Sequence, residues 1–413
     1  MVSMKKYLLL LIFAFTTVCI HANPIKFSMM HDGYEREYMV YLPKSYNAAE
    51  GAGMIVCLHG FNNSMNTFFG KYNITDVADE LNLVVVAPQA LPEKNPEVLK
   101  KAEELEKLIG KPFPLDAVWG CGLRVKSKTN NILLPFKLDV ELNKDIDDTG
   151  FIKAITDKIK KDYSINQNVF LIGTSLGGFM SYQYAMYYGN ELSGLISICG
   201  SMGTNIHQAN TDIKLPVCDF HSVTDEVVPY SGELNFKLII DIKVSLCQSK
   251  SDVIDFWVKN NKVSSIPTTT EQVDYYPSTN SITVEKEVYA GNQNEVVHYK
   301  IDGAYHEHYF KKENGDCMDY NEEIIKFIKS HSTDDTGIQN IIKPLIIYPN
   351  PAKDNVNIGI DEGHVAIYNI NGQQVFSANI TSSQLEVSFL SKGMYIVNIQ
   401  SPEGNYQGKL IIK

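Results

Sequence analysis

Basic residues are in short supply in this chain. Lys and Arg number 37 against 48 Asp and Glu, giving a formal net charge of −11. A surface of that sign argues against nucleic acid or an anionic membrane as partner and leaves neutral substrates open. Long apolar runs are equally scarce. The strongest, Tyr7 to Ile20, is too short to span a bilayer comfortably. Preceded by Lys5 and Lys6 and followed by a small residue, it marks residues 1–22 as a secretory signal peptide expected to be cut after Ala22. Cysteines number only 7, one of them in that leader, and no pair has zinc-site spacing. No metal and no cofactor is therefore expected. Cys57, Cys199 and Cys218 sit in apolar runs and read as buried thiols. Cys121, Cys247 and Cys317 have polar surroundings, where one disulfide is possible in an exported chain.

Past the leader, Asp32-Gly33 separates two alternating runs and predicts a hairpin. Apolar strand candidates recur at 54–58, 83–87, 168–172, 195–199, 215–221 and 296–301, and helical patterns separate several of them, notably 150–162 and 177–188. Strands apolar on both faces that alternate with helices predict an α/β domain with a mostly parallel sheet. Residues 92–140 interrupt the rhythm. Asn95, Pro96 and Gly110 bracket a helix with Val98, Ala102, Leu105 and Ile109 on one face, and the segment reads as an insertion over the sheet's edge. It is either a structural excursion or part of a substrate wall. Residues 331–343 are polar and read as a linker. Residues 344–413 carry short alternating strands, with a turn at Asn371-Gly372, and predict a small all-β sandwich without a catalytic cluster of its own.

One corner concentrates the chemistry. In "VFLIGTSLGGFM" a β-prone run ends in Ser175, between Gly173 and Gly177, and an apparently amphipathic helix follows. A Gly-x-Ser-x-Gly match alone arises by chance in about one chain in seven of this length. Between a strand and a helix it describes a nucleophile elbow, the α/β-hydrolase device that exposes a serine above the sheet. A serine hydroxyl needs a base and an orienting acid, which in this fold follow in the order Ser, Asp, His. Asp225 stands just past the strand "LPVCDFHS", whereas Asp219 falls inside it and Glu226 is the neighbour to exclude. His306 and His308 share the loop after "EVVHYKI", with His306 the first choice as base and His308 the alternative; His298 lies within the strand. Activity should then fall below about pH 6, where free imidazole protonates. "HEHYF" lacks the histidine at 310 that a zinc-protease helix requires. Oxyanion donors are expected from the backbone N–H groups of Leu176 and Phe61, with His59 shaping the loop before Gly60.

These stretches, with "ADELNLVVVAPQA", "DIDDTGFIKAITDKIKKDY" and "YKIDGAYHEHYF", resemble the secreted polyhydroxybutyrate depolymerase and feruloyl esterase family (carbohydrate esterase family one) over roughly residues 25–330. The resemblance implies Ser175 as nucleophile, Asp225 as acid and His306 as base. Ser222 stands where that family usually has glycine. "YPNPAKDNVNI", "VAIYNINGQQVF" and "KGMYIVNI" resemble the type A sorting domain of the type IX secretion system, which implies contact with that machinery and a secreted or cell-surface location.

The expected activity is a serine carboxylesterase acting on feruloyl or acetyl esters of plant cell-wall polysaccharide, such as xylan. A polyester depolymerase is the first alternative. A non-catalytic surface binding protein that keeps the fold is the second, and the triad residue types in order speak against it. A prolyl-oligopeptidase-like peptidase would need propeller repeats ahead of the hydrolase, and none is present.

Overall fold

The runs 52–58, 83–88, 168–174 and 194–198 are buried along their whole length, so both faces must be covered. The computed structural model describes residues 23–127, 138–206, 213–237, 241–290, 294–333, 343–369, 374–401 and 404–413. The signal peptide, the Asn371-Gly372 turn and most of the 331–343 linker lie outside the described residues.

The chain divides into two units, one ending at Ser332 and the other beginning at Thr333. In the first, the strands are β1 (Ile25–His31), β2 (Tyr34–Tyr41), β3 (Ala52–Leu58), β4 (Leu83–Pro88), β5 (Arg124–Ser127), β6 (Asp139–Glu141), β7 (Ile165–Thr174), β8 (Gly194–Ile198), β9 (Val217–Ser222), β10 (Glu233–Lys237), β11 (Asp241–Ser245), β12 (Thr269–Gln272), β13 (Thr283–Tyr289) and β14 (Val296–Asp302). The helices are α1 (Thr67–Gly70), α2 (Ile74–Leu81), α3 (Pro96–Ile109), α4 (Asp148–Asp162), α5 (Leu176–Tyr188), α6 (Lys250–Asn261) and α7 (Tyr320–His331).

Ten strands form one sheet in the order β1-β2-β4-β3-β7-β8-β9-β14-β13-β12. From β4 to β14 neighbours run parallel, and the outer strands pair antiparallel. Alternation along β3 feeds two cores. Met54, Val56 and Leu58 pack with Phe151 of α4, Phe179 of α5 and Trp257 of α6. Ile55 and Cys57 pack with Val77 of α2 and Ile324 of α7. This is the expected α/β-hydrolase architecture. Among the described residues no helix is long and apolar enough to cross a membrane.

The structure corrects four sequence readings. Helix α5 is not amphipathic: every residue from Leu176 to Met186 is buried, because it lies between the sheet and α4 and α6. Cys121, Cys247 and Cys317 are buried free thiols, as are the other three described cysteines, so no disulfide forms. Their polar neighbours belong to segments that fold back onto the core. Cys199 lies just past β8, at φ 45°, outside the strand. The 92–140 insertion also reaches beyond the sheet's edge. Its helix α3 begins with the Asn95 side chain accepting from Glu97 N–H and ends at Gly110, but β5 and β6 join β10 and β11 in a separate four-stranded antiparallel sheet. Sequence patterning missed that sheet, since its strands are short and come from two distant excursions.

The second unit has a five-stranded sheet and a two-stranded one. Its strands are β15 (Lys343–Pro344), β16 (Asn355–Asn357), β17 (Gly363–Asn369), β18 (Gln374–Ile380), β19 (Gln384–Glu386), β20 (Gly393–Ser401) and β21 (Gly404–Ile412). Val356 and Leu385 from the small sheet share a core with Val365, Val397 and Leu410 from the large one.

Beneath the carboxyl ends of the central strands lies a buried ionic cluster. Lys250 Nζ donates to Asp219 Oδ1 at 2.7 Å and to Gly200 O at 2.7 Å. Tyr182 OH donates to the same carboxylate oxygen at 2.9 Å, and His298 Nδ1 bonds the other at 2.9 Å. Burial opposes the charge on Asp219, but Lys250 and His298 outweigh it and hold the carboxyl well below the usual range. A depressed carboxyl contributes stability that is fully present above the unfolded value of about 3.9 and is lost as pH falls through the folded value. Lys250→Met leaves Asp219 buried with its cation gone. It should cost about 3–5 kcal/mol in urea unfolding at pH 7, and the deficit should shrink as the medium is acidified below pH 4.

Candidate active site

The site is assembled at the carboxyl ends of β3, β7, β8, β9 and β14. Ser175 follows β7 directly and caps α5 at φ 52°, ψ −122°, a conformation that a non-glycine residue holds only under constraint from its surroundings. The constraint is visible at Gly177, where an added Cβ would stand 1.9 Å from the Leu58 carbonyl oxygen, and at Gly173, where it would stand 2.1 Å from Gly177 O. Any side chain at either place would push α5 off the sheet and unbend the corner. Backbone bonds from Ser175 N–H to Ile198 O (2.9 Å) and from Gly178 N–H to Ser175 O (2.8 Å) hold it.

Three residues distant in sequence meet here. Ser175 Oγ lies 2.8 Å from His306 Nε2, and His306 Nδ1 lies 2.7 Å from Asp225 Oδ2. All three are nearly buried. The other carboxylate oxygen of Asp225 accepts the backbone N–H groups of Val227 (2.9 Å) and Val228 (2.8 Å), which sets the angle of the acid. Burial opposes ionisation of Asp225, yet the His306 bond and the nearby His221 hold its carboxyl below the ordinary value. Burial likewise opposes charge on His306, but the Cys199 sulfur, 4.0 Å from Nε2, and the Asp225 carboxylate raise it to about 10.

The remaining sequence candidates fall elsewhere. His308 Nε2 is bonded to Asp316 Oδ1 at 2.9 Å and is turned away from Ser175. Glu226 accepts the backbone N–H of His306 at 3.2 Å, so the neighbour to be excluded as acid instead helps hold the histidine loop. His298 is committed to Asp219. His59 is buried, with Nδ1 on Gly60 O (2.8 Å) and Nε2 accepting from Ala90 N–H (3.1 Å), and burial pushes it down to about 4. It is a neutral ring that braces the loop. An added Cβ on Gly60 would stand 3.3 Å from Ser175 Cβ, so the segment carrying Phe61 N–H runs directly beside Ser175. No hydrogen bond among the described residues engages the N–H of Phe61 or Leu176.

Sequence reasoning missed three contributors. Ser222 Oγ donates to Ala304 O at 2.7 Å and ties the end of β9 to the histidine loop, which explains a hydroxyl where glycine is usual. His221 is packed behind the acid, its Nε2 3.7 Å from Asp225 Oδ2. Cys199 Sγ lies 4.0 Å from His306 Nε2. Only Ser222 was visible as an oddity in the sequence; the other two read as ordinary strand residues. Among the described residues no group of three or more His, Cys, Asp or Glu is placed to hold a metal ion.

Comparison with known proteins adds the following. Residues 141–251, which span Ser175 and Asp225, match the family model described as phospholipase/carboxylesterase. Residues 346–413 match the secretion system C-terminal sorting domain. Compared with curated proteins, the sequence finds no match. Similar solved structures include an acetyl xylan esterase from Aspergillus awamori (12% identity, 74% of this chain and 99% of that one, TM-score 0.47). They also include a ferulic acid esterase from Anaeromyces mucronatus (13% identity, 75% and 89%, TM-score 0.38). An S-formylglutathione hydrolase from Agrobacterium tumefaciens is a third (11% identity, 74% and 95%, TM-score 0.42). Within an α/β-hydrolase fold, residues 141–251 are thus similar to the phospholipase/carboxylesterase family, and residues 346–413 to the secretion system C-terminal sorting domain.

Proposed function

We propose that this protein is a secreted serine carboxylesterase in which Ser175 is the nucleophile, His306 the general base and Asp225 the orienting acid. The observation that carries the reading is the unbroken chain from Ser175 Oγ through both nitrogens of His306 to Asp225 Oδ2, with a strained serine backbone at its head. Ser175 Oγ attacks the ester carbonyl while His306 Nε2 takes its proton. Asp225 holds the imidazole in the required tautomer and stabilises the imidazolium. The oxyanion that develops accepts from Leu176 and Phe61 N–H. His306 then returns the proton to the departing alcohol, and water, activated by the same nitrogen, hydrolyses the acyl-enzyme.

The substrate is a feruloyl or acetyl ester of plant cell-wall polysaccharide. Supporting this choice, Phe113 is exposed within 6.3 Å of the Phe61 ring, and Tyr305, next to His306, is exposed as well. They offer flat apolar surface of the kind on which sugar and phenolic rings pack. Residues 1–22 act as signal peptide, residues 23–330 as esterase and 331–343 as linker. Residues 344–413 then engage the type IX secretion machinery, which delivers the enzyme to the surface or medium.

A panel of methyl ferulate, acetylated xylan and polyhydroxybutyrate tests the substrate assignment. Turnover of the first two is expected, and turnover of the polyester alone would replace the reading with a depolymerase. On any active ester, Ser175→Ala and His306→Ala should each lose about a million-fold in kcat, while His308→Ala should stay active. A dead His308→Ala would reassign the base.

The raised value of His306 also moves the pH dependence expected from sequence. The base works only when neutral, so a histidine raised above 6.5 delays activity to higher pH. The acid limb of kcat/KM should lie above pH 6.5. A wild-type limb at or below 6.5 would contradict this.

Deleting residues 337–413 should leave the kinetic constants of purified enzyme nearly unchanged and, in the native host, strand the protein in the periplasm. Fractionation with an activity assay decides both points.

A further inference from the structure

One polar group beside the nucleophile has no part in the triad and is bonded more heavily than a loop residue needs. Asn62, directly after Phe61, has φ 53° in the left-handed region. Its backbone N–H donates to Ala117 O at 2.9 Å. Its side-chain Oδ1 accepts from Asp116 N–H at 2.9 Å and from Ala117 N–H at 3.3 Å, while Nδ2 donates to Pro114 O at 2.6 Å. The residue is thus bound on both edges to residues 114–117 of the insertion. Two positions further on, Trp119 Nε1 donates to His59 O at 2.8 Å, and its buried ring lies 5.1 Å from the His59 ring. The insertion therefore grips the oxyanion loop on each side of Gly60-Phe61.

The grip is itself anchored. Asn143 Nδ2 donates to Val118 O at 2.7 Å, Val118 N–H donates to Leu91 O at 2.8 Å, and Gly120 N–H donates to the buried Asp148 carboxylate at 2.7 Å. Asp148 is paired in turn with the buried Arg36. The links run to the loop after β4 (Leu91), to the loop before α4 (Asn143) and to the first residue of α4 (Asp148), so the segment 114–120 is a fixed strut and not a free excursion.

We propose that Asn62 and Trp119 are positioning residues that hold the Phe61 N–H at the oxyanion, so that the insertion is part of the catalytic machinery through its 114–119 segment. This rests on the assignment of Phe61 as oxyanion donor. A donor helps only where it points at the developing charge, and a displacement of about 1 Å can cost about 100-fold in rate. Asn is suited to the task because it tolerates positive φ and carries both a donor and an acceptor.

The test uses the whole enzyme and two variants. Asn62→Gly keeps the left-handed backbone without strain and removes only the side-chain clamp. Trp119→Phe keeps most of the ring and removes the bond to His59 O. Kinetics on p-nitrophenyl acetate are paired with inhibition by phenylboronic acid, whose adduct with Ser175 Oγ is a tetrahedral boronate with one boron-bound oxygen placed where the same N–H groups bind. Both variants should lose about 10–100-fold in kcat with KM little changed, and the boronate Ki should weaken by the same factor as kcat/KM. A merely structural role would lower the thermal midpoint or the number of active sites counted by an acylation burst, with Ki as in wild type. That outcome, or less than a twofold effect in both variants, overturns the proposal. An active Ser175→Ala would instead overturn the esterase assignment beneath it, so the two failures are distinguishable.

Discussion

The site depends on a crossing of backbones. Helix α5 crosses the end of β3 so tightly that Gly177 has no room for a Cβ beside the Leu58 carbonyl, and this crossing bends the chain at Ser175. The bend aims the hydroxyl out of the sheet, puts Leu176 N–H at the head of α5 and sets Gly60-Phe61 against Ser175. A serine on a relaxed loop would have none of these relations. The strain at φ 52° is held by packing on all sides, since α5 is buried around its circumference.

Around that corner the protein has arranged charge in two layers. The outer one, Asp225 with His306, meets Ser175. The inner one, Asp219 with Lys250, His298 and Tyr182, lies buried within the core. His221 stands between them, close to Asp225 and bonded to the carbonyls of Gly200 and Val228. In a low-dielectric interior, unpaired members of such a set would be costly, which favours one arrangement of the loops after β8 and β9 over many. His306 and Asp225 are thereby oriented from below as well as by each other.

Much of the frame was legible. The β-branched runs, their alternation with helical patterns and the Gly-x-Ser-x-Gly corner carried the fold class, because two-sided burial and elbow sterics are local requirements written in residue type. The preference for Asp225 over Asp219 followed from position relative to a strand end, whereas His306 and His308 share one loop and the family resemblance favoured His306. The misreadings share one cause. The circumferential burial of α5, the free thiols of Cys121, Cys247 and Cys317, and the β5-β6-β10-β11 sheet all depend on segments arriving from elsewhere in the chain, and local polarity does not register them.

By itself, then, the sequence determined which residue types were available for nucleophile, base and acid, their order along the chain, and the separate strand-rich tail, since each depends on neighbours within a few positions. Only the tertiary structure decided that Cys199 would lie beside His306, that Glu226 would brace the histidine loop, and that Asn62 would be clasped by residues more than fifty positions away. Those are contacts between loops that leave the sheet at different strands or belong to the insertion, and their distances follow from packing and register, which no single stretch encodes.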